Sequence, residues 1–225
     1  MPDYEYRNPL NEEAEAIEIR HLGDLAGEMV YRLPGCSPLM IRKELQRAWV
    51  EFANRTGVLR FQVKTALVAG KRKYGFGSPV PATISRVWDI HFAYEDENGA
   101  VHHDPHQLWD KVGYANNGER ATVILDFDIG EDDLQGRNRL CCLLECRPLV
   151  AGEDIPAPIY ARWGHAIVAG AMAHLCSLGG GRPWADTALA QQSLIEFQNA
   201  MGEASRAAMG NGHGDISVVN REGWA

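Results

Sequence analysis

The hydrophobic period of this chain changes twice, and this change restricts its possible folds more than any other feature. In residues 38–55, apolar side chains recur at helical spacing, at Ile41, Leu45, Ala48, Trp49 and Phe52. After Gly57 the period becomes two, and Leu59, Phe61 and Val63 alternate with polar residues. Helical spacing returns in 159–178 and 186–209. The pattern therefore predicts helices at both ends of the chain and strands between them.

The predicted helices have apolar stripes that only another element can cover. The simplest arrangement packs them against each other and leaves the strand-rich middle as an insertion. The sequence thus predicts an α+β fold, in which N- and C-terminal helices form a helical bundle with an inserted antiparallel, sandwich-like β domain. The predicted regions are an N-terminal arm (1–21), a first bundle segment (22–57), the β domain (58–150), a helical hairpin as the second bundle segment (151–209) and a flexible C-terminal tail (210–225).

Turn and capping residues set the ends of these segments. Ser37 and Asp186 are predicted N-caps, Pro38 stands at a first helical position, and Gly57 is a predicted stop. The glycines at 179–181 follow a helix, whereas a phosphate-binding loop follows a strand and precedes a helix. They are therefore interpreted as a left-handed helix stop in a hairpin, with Trp184 folding back over the last turn.

Charge and composition exclude several classes of protein. The chain has 225 residues, a net charge of -8 and a pI near 5.5, which argues against a dedicated nucleic-acid binder. Its longest apolar run, 166–178, is broken by His174 and is too short to cross a bilayer, so we expect no membrane partner. No signal peptide is evident, and the five cysteines are expected to be reduced.

Several residue clusters suggest chemistry, and each has a simpler interpretation. His102, His103 and His106 could ligate zinc or iron in a metal-dependent enzyme, but a polar loop explains them as well. Cys142 and Cys146 share one strand face, with Cys141 on the other, so all three are interpreted as core residues. We therefore predict no catalytic residue, no metal site and no cofactor.

Two further patterns concern binding surfaces. Trp88 and Trp109 could be stacking platforms of a carbohydrate-binding module, although Trp88 shares the parity of Ile84 and Ile90 and is better interpreted as core. The acidic run after residue 125 predicts a solvent-exposed rim, with a shared strand face for its first two acids; it contains Asp126, Asp128, Glu131, Asp132 and Asp133. The basic run 71–77 is interpreted as a hairpin tip.

The two ends of the chain resemble a known family. Residues 33–61, "LPGCSPLMIRKELQRAWVEFANRTGVLRF", and 155–201, "IPAPIYARWGHAIVAGAMAHLCSLGGGRPWADTALAQQSLIEFQNAM", resemble head-to-tail adaptor (connector) proteins of tailed bacteriophages, similar to tail tubular protein A. The shared features are a helix after "PGC", a small-residue patch (here 170–172), a glycine turn, "PW" (Pro183 and Trp184) and a last helix with an aromatic residue (Phe197). The resemblance covers about residues 22–209.

This resemblance implies a structural virion protein at the neck of a phage particle, assembled in the cytoplasm of the bacterial host. It implies a homo-oligomeric ring, usually of twelve copies, between the portal protein and the tail tube or nozzle proteins, with viral DNA passing transiently through the channel. An acidic channel would repel phosphate and let DNA slide. The apolar tail residues are expected to dock on a neighbour or on the portal; they are Ile216, Val218, Val219 and Trp224. Another neck component or a tail terminator is the alternative closest to this interpretation.

Overall fold

The computed structural model describes residues 4–6, 17–96, 101–107, 111–179 and 181–210. In chain order the elements are β1 (Tyr4–Tyr6), β2 (Ile17–His21), α1 (Gly23–Arg32), α2 (Pro38–Thr56), β3 (Arg60–Ala66), β4 (Lys73–Gly77), β5 (Ala82–Glu95), β6 (Val101–Gln107), β7 (Val112–Asn116), β8 (Arg120–Leu125), β9 (Arg139–Pro148), β10 (Asp154–Pro156), α3 (Ala157–Ser177) and α4 (Thr187–Gly210). These helices and antiparallel strands confirm the predicted α+β class.

The described residues form two compact units. The first unit contains Glu18–Val58 together with 148–210, so both ends of the chain contribute to it. The second unit contains Leu59–Arg147, which is continuous in sequence and carries most of the strands.

The apolar stripe of α2 forms the centre of the first unit. All five predicted positions, Ile41, Leu45, Ala48, Trp49 and Phe52, are fully buried, which confirms the helical interpretation. The Phe52 ring lies 5.7 Å from the ring of Trp163 on α3 and 6.1 Å from that of Phe197 on α4, measured between centroids. Phe52 is therefore the point where α2, α3 and α4 meet.

Small residues on α3 let α4 approach closely, as predicted. A Cβ built on Gly170 would lie 2.8 Å from Cε2 of Phe197, a distance that real Cβ atoms do not show. Phe197 is itself buried, with only 2% of its surface exposed. The aromatic ring of α4 thus lies directly on the backbone of α3, and no side chain fits between them.

Helix α4 buries one face along its length. The buried residues are Ala190, Ser193, Phe197, Ala200, Met201 and Ala204. Leu194 is 42% exposed, and its neighbour Ile195 is 59% exposed. Leu194 lies about 100° around the helix from Ser193, and contact with α3 places Ser193 inside. On α1, Leu25 and Met29 are buried, whereas Tyr31 is 90% exposed.

The helix ends confirm some predicted caps and correct others. Gly57 has φ 65° and its N–H bonds the carbonyl of Ala53 at 3.0 Å, as a left-handed stop requires. The Asp186 carboxylate accepts a bond from the Leu189 N–H at 3.0 Å, which confirms its capping role. Ser37 occupies the N-cap position of α2 but its side chain makes no capping bond.

The glycine run after α3 ends the helix differently from the prediction. The helix leaves through Leu178 in an extended conformation, with φ −70° and ψ 102°, and among the described residues of the run only Gly181 has a positive φ. The carbonyl of Cys176 accepts the N–H of Asp186 at 3.1 Å, so the start of α4 satisfies the end of α3. This is a helical hairpin, as predicted. The Trp184 ring lies about 4.0 Å from the position that a Cβ on Gly35 would take.

The end of the predicted N-terminal arm is a strand. Residues 17–21 form β2, which pairs antiparallel with β10 so that Ile19 lies opposite Pro156 and His21 opposite Asp154. The order of this sheet is β1-β2-β10. The sequence did not predict this strand, because its partner strand lies more than a hundred residues away along the chain.

The second unit contains two antiparallel sheets with orders β3-β9-β5-β6 and β4-β8-β7. The alternation in β3 is confirmed, since Phe61 and Val63 are buried and pair in register with Leu144 and Cys142 of β9. The basic run 71–77 is not a hairpin tip, because 73–77 form β4 and bury Tyr74 and Phe76. The aromatic residues of that run therefore belong to the core.

The contact between Gly170 and Phe197 gives a stability prediction. Gly170→Ala should lower the free energy of unfolding by about 1–3 kcal/mol, since the added methyl group must displace a buried ring. The matched control is Gly27→Ala in α1, where nothing lies within 4 Å of the new Cβ. That control should raise stability by about 0.5–1 kcal/mol, because alanine is the better helix former. Chemical denaturation of both variants tests this, and equal effects would contradict the packing argument.

Candidate functional site

The histidines proposed as metal ligands lie on a strand. The simpler interpretation of these residues, a polar loop, is therefore wrong. Residues 101–107 form β6, which pairs with β5 so that His102 is opposite Tyr94. The His102 side chain is 67% exposed, its ring is 6.5 Å from the Tyr94 ring, and its Nε2 is 3.6 Å from Asp96. The side chains of His103 and His106 lie outside the described residues. No group of three His, Cys, Asp or Glu side chains that could hold a metal ion occurs in the described part of the chain.

The cysteines are free and buried, as predicted. Burial raises the pKa of Cys142 well above its usual value and raises that of Cys146 to about 12. Both thiols therefore stay protonated at neutral pH and are poor nucleophiles. Their interpretation as core residues is confirmed.

A polar cluster that the sequence analysis did not identify lies around His91 in the second unit. Nδ1 of His91 is 2.9 Å from Oδ2 of Asp89, and its Nε2 is 3.4 Å from the side-chain amide of Gln62. Cys141 on β9 also bonds the imidazole. The signal that could have revealed some of this cluster is the i, i+2 spacing of Asp89 and His91, which places both on one face of β5.

This cluster contains a thiol, an imidazole and a carboxylate, which are the groups of a nucleophilic site. However, His91 is 4% exposed and Cys141 is 1% exposed, and neither lines the described cavity of this unit. Burial lowers the pKa of His91, but the bonds to Asp89 and Cys141 outweigh it and raise the pKa to about 9. His91 is therefore charged at neutral pH and acts as a buried cross-link between strands.

Trp88 was predicted to be a core residue, and this prediction is wrong. The buried residues of β5 include Ile84, Val87 and Ile90, whereas Trp88 is 38% exposed. The burial pattern of the strand thus departs from strict alternation at Val87, which moves Trp88 to the polar face of the sheet. Trp109, the other proposed stacking platform, lies outside the described residues.

Two arginines surround Trp88. The guanidinium carbons of Arg60 and Arg86 each lie 4.3 Å from the centre of the Trp88 ring, within cation–π range. The indole N–H of Trp88 donates to Glu145 at 2.6 Å, and the same carboxylate is 3.3 Å from Arg60. Arg147 lies on the same face of β9 as Glu145 and is exposed. We call Arg60 and Arg86 beside Trp88, together with Arg147 on the Glu145 face of β9, the arginine patch.

The acidic run is an exposed rim, as predicted, but its first residues are not on a strand. Strand β8 ends at Leu125, so Asp126 and Asp128 do not share a strand face. Asp128 makes a two-point ion pair with Arg72 at 2.5 and 2.6 Å, and this bond lowers the pKa of its carboxyl. Glu131, Asp132 and Asp133 are exposed in and beside a short 3-10 turn. We call residues 126–133 the acidic loop.

A cavity of about 470 Å³ opens beside the acidic loop, within the second unit. Its apolar wall includes Phe92 and Phe127, whose rings meet edge to face at 6.1 Å. Its charged side chains are Lys111, Asp126, Asp133 and Arg137. Two cations and two anions give the mouth no preferred sign of charge.

The tail residues proposed for partner binding, Ile216, Val218, Val219 and Trp224, lie outside the described residues. None of the helices in the described ranges combines the length and apolar content needed to cross a membrane.

The His91 cluster gives a pH prediction. The pKa of His91 is about 9 in the folded protein, whereas that of an ordinary histidine is 6.5. The stabilisation that the charged imidazole gives to the fold is therefore complete below pH 6.5 and is lost as the pH rises through about 9. His91→Gln should remove this dependence, whereas the exposed His165→Gln should keep it. Denaturant unfolding between pH 6 and 10 measures the difference. Equal slopes for the wild type and His91→Gln would show that the charged imidazole does not stabilise the fold.

Comparison with known proteins gives little further information. No protein-family model matches the sequence, and no curated protein matches it. A similar solved chain belongs to the neck of an empty GTA particle computed with C6 symmetry. It is 13% identical, the match covers 78% of this chain and 94% of that chain, and the TM-score is 0.26. Similarity at this level carries no argument about function.

Proposed function

We propose that this chain is a head-to-tail adaptor of a phage-type particle, a structural virion protein that forms a ring between the portal and the tail. In this role twelve copies surround a channel, the portal protein binds above, tail tube or nozzle proteins bind below, and viral DNA passes through. The similar solved chain also comes from a particle neck, and the proposal does not depend on it.

The observation that carries this proposal is that the first unit is built from both ends of the chain. Its core helices come from both ends of the chain and meet at Phe52, Trp163 and Phe197, and Gly170 permits the close α3–α4 contact. These are the segments on which the adaptor resemblance rests. The strand-rich unit is continuous between them, in the place where the resemblance expects an insertion.

Exposed apolar residues on the first unit supply surface for subunit contacts. Leu194 and Ile195 on α4, with Val30 and Tyr31 on α1, are 42% to 90% exposed. In the proposed ring, neighbouring copies or the portal would cover these side chains. The net charge of -8 also suits a channel through which DNA slides without binding.

Electron microscopy of the full chain mixed with purified portal rings tests the proposal. We expect a second ring attached coaxially to the portal, with a number of subunits that matches the portal. Rings attached instead to the end of a tail tube would identify a tail terminator. A protein that stays monomeric with both partners would contradict a ring-forming role.

The apolar tail provides a second test of this function. Removal of residues 211–225 should reduce attachment to the portal ring at least tenfold, because Ile216, Val218, Val219 and Trp224 are lost together. The matched control replaces Ser217 and Asn220 by alanine and keeps the apolar residues. Undiminished attachment of the shortened chain would exclude the tail as a docking segment.

The proposal also makes the chain a structural protein without catalysis. Elemental analysis of the purified protein should therefore find far less than one zinc or iron per chain. Stoichiometric metal that disappears in His102→Ala would favour the alternative, a metal-dependent enzyme. The exposure of His102 and its stacking on Tyr94 support the structural role.

A further inference from the structure

The second unit carries two surfaces of opposite charge, one on the sheet β3-β9-β5-β6 and the other in the loop that follows β8. The arginine patch holds two guanidinium groups against Trp88, those of Arg60 and Arg86, and adds Arg147 on the face of β9 that carries Glu145. The net charge of the whole chain is -8. The acidic loop holds five carboxylates and no basic residue in eight positions. A surface of each sign on one rigid unit is the arrangement that lets copies of a protein associate head to tail.

The strand register fixes the separation of these surfaces. Glu145 pairs with Arg60 near one end of β3, and Arg139 pairs with Ala66 at the other. Six residues of extended strand separate the two positions, which is about 20 Å. The acidic loop lies near the Arg139 end, since Asp126 and Asp133 line one cavity with Leu67 and Arg137.

The arginine patch is prepared for an anionic partner. Arg86 is exposed, its guanidinium is held against the Trp88 ring, and it makes no ion pair with any described residue. Arg60 is already neutralised by Glu145, so Arg86 and Arg147 carry the excess charge. Tryptophan and arginine are the residues that most often dominate the energy of protein–protein interfaces.

We propose that the arginine patch binds the acidic loop of a neighbouring copy, and that this contact joins the second units of adjacent subunits in the ring. The inference rests on the proposed function. Repetition of one heterologous contact closes a ring when the rotation per subunit allows it. Asp126, Glu131 and Asp132 are exposed in the acidic loop and supply the carboxylates.

Nucleic acid fits this patch less well than a protein does. Binding through phosphates requires many cationic contacts, and the patch has only two uncompensated arginines. The Trp88 ring already contacts two guanidinium groups, so it is poorly placed to stack on a base.

Charge exchange between the two surfaces tests the contact in the full chain. We expect Arg86→Glu and Asp132→Lys each to weaken self-association at least tenfold, since each places like charges together. The double variant should recover association to within about threefold of the wild type, because the ion pair is restored with reversed sign. Sedimentation velocity over a range of concentrations, in low and in high salt, gives these affinities.

Matched controls change the same charges elsewhere on the second unit. Lys73→Glu and Glu119→Lys are exposed positions outside both surfaces and should leave the association unchanged. Circular dichroism confirms that each variant is folded. Wild-type association should also weaken with added salt, because the contact is electrostatic and exposed.

Three results would overturn the inference: equal self-association of all variants, failure of the double variant to recover, or no self-association of the wild type. A fourth is binding of a short DNA duplex that Arg86→Glu abolishes and Asp132→Lys leaves intact, which would assign the patch to DNA. Ring formation on the portal by all variants would remove this interface and leave the adaptor role standing. Loss of self-association in the single variants, with no ring on any portal, would support this interface and contradict the adaptor role.

Discussion

The close approach of α3 and α4 is the constraint on which the first unit depends. Phe197 lies on the backbone of Gly170, and this contact brings its ring within 6.1 Å of Phe52 on α2. A side chain at position 170 would have to displace this ring from its place in the core. Because α2 comes from the beginning of the chain and the hairpin from its end, the contact joins segments that are about a hundred residues apart in sequence.

Polar and apolar residues have separate tasks in the second unit. One face of the sheet β3-β9-β5-β6 buries Phe61, Val63 and Leu144, and this supplies the hydrophobic stabilisation. The other face carries linked charges, such as Lys64 and Arg139 on Glu95, at 2.8 and 2.9 Å. Burial raises the pKa of Glu95, but these two bonds outweigh it and lower the pKa below its usual value. A face of this kind leaves Arg86 and Trp88 available for partners.

The sequence predicted the fold class and several helix limits, but it predicted the surfaces poorly. Period and capping identified α2, Gly57 and the Asp186 cap because these depend on residues only a few positions apart. The burial of Ser193 and exposure of Leu194 depend on where α3 touches α4, and no local pattern contains that information. The His91 cluster joins three strands, so its members are dispersed along the chain.

The sequence by itself determined where the chain is helical, where it is extended and which residues are too apolar to face water, because these properties follow from local geometry and hydration. The tertiary structure alone decided that residues 17–21 pair with β10 and that Trp88 faces outward between two arginines. These outcomes depend on contacts between residues that are distant in the chain, and such contacts form only when the strands and helices have packed.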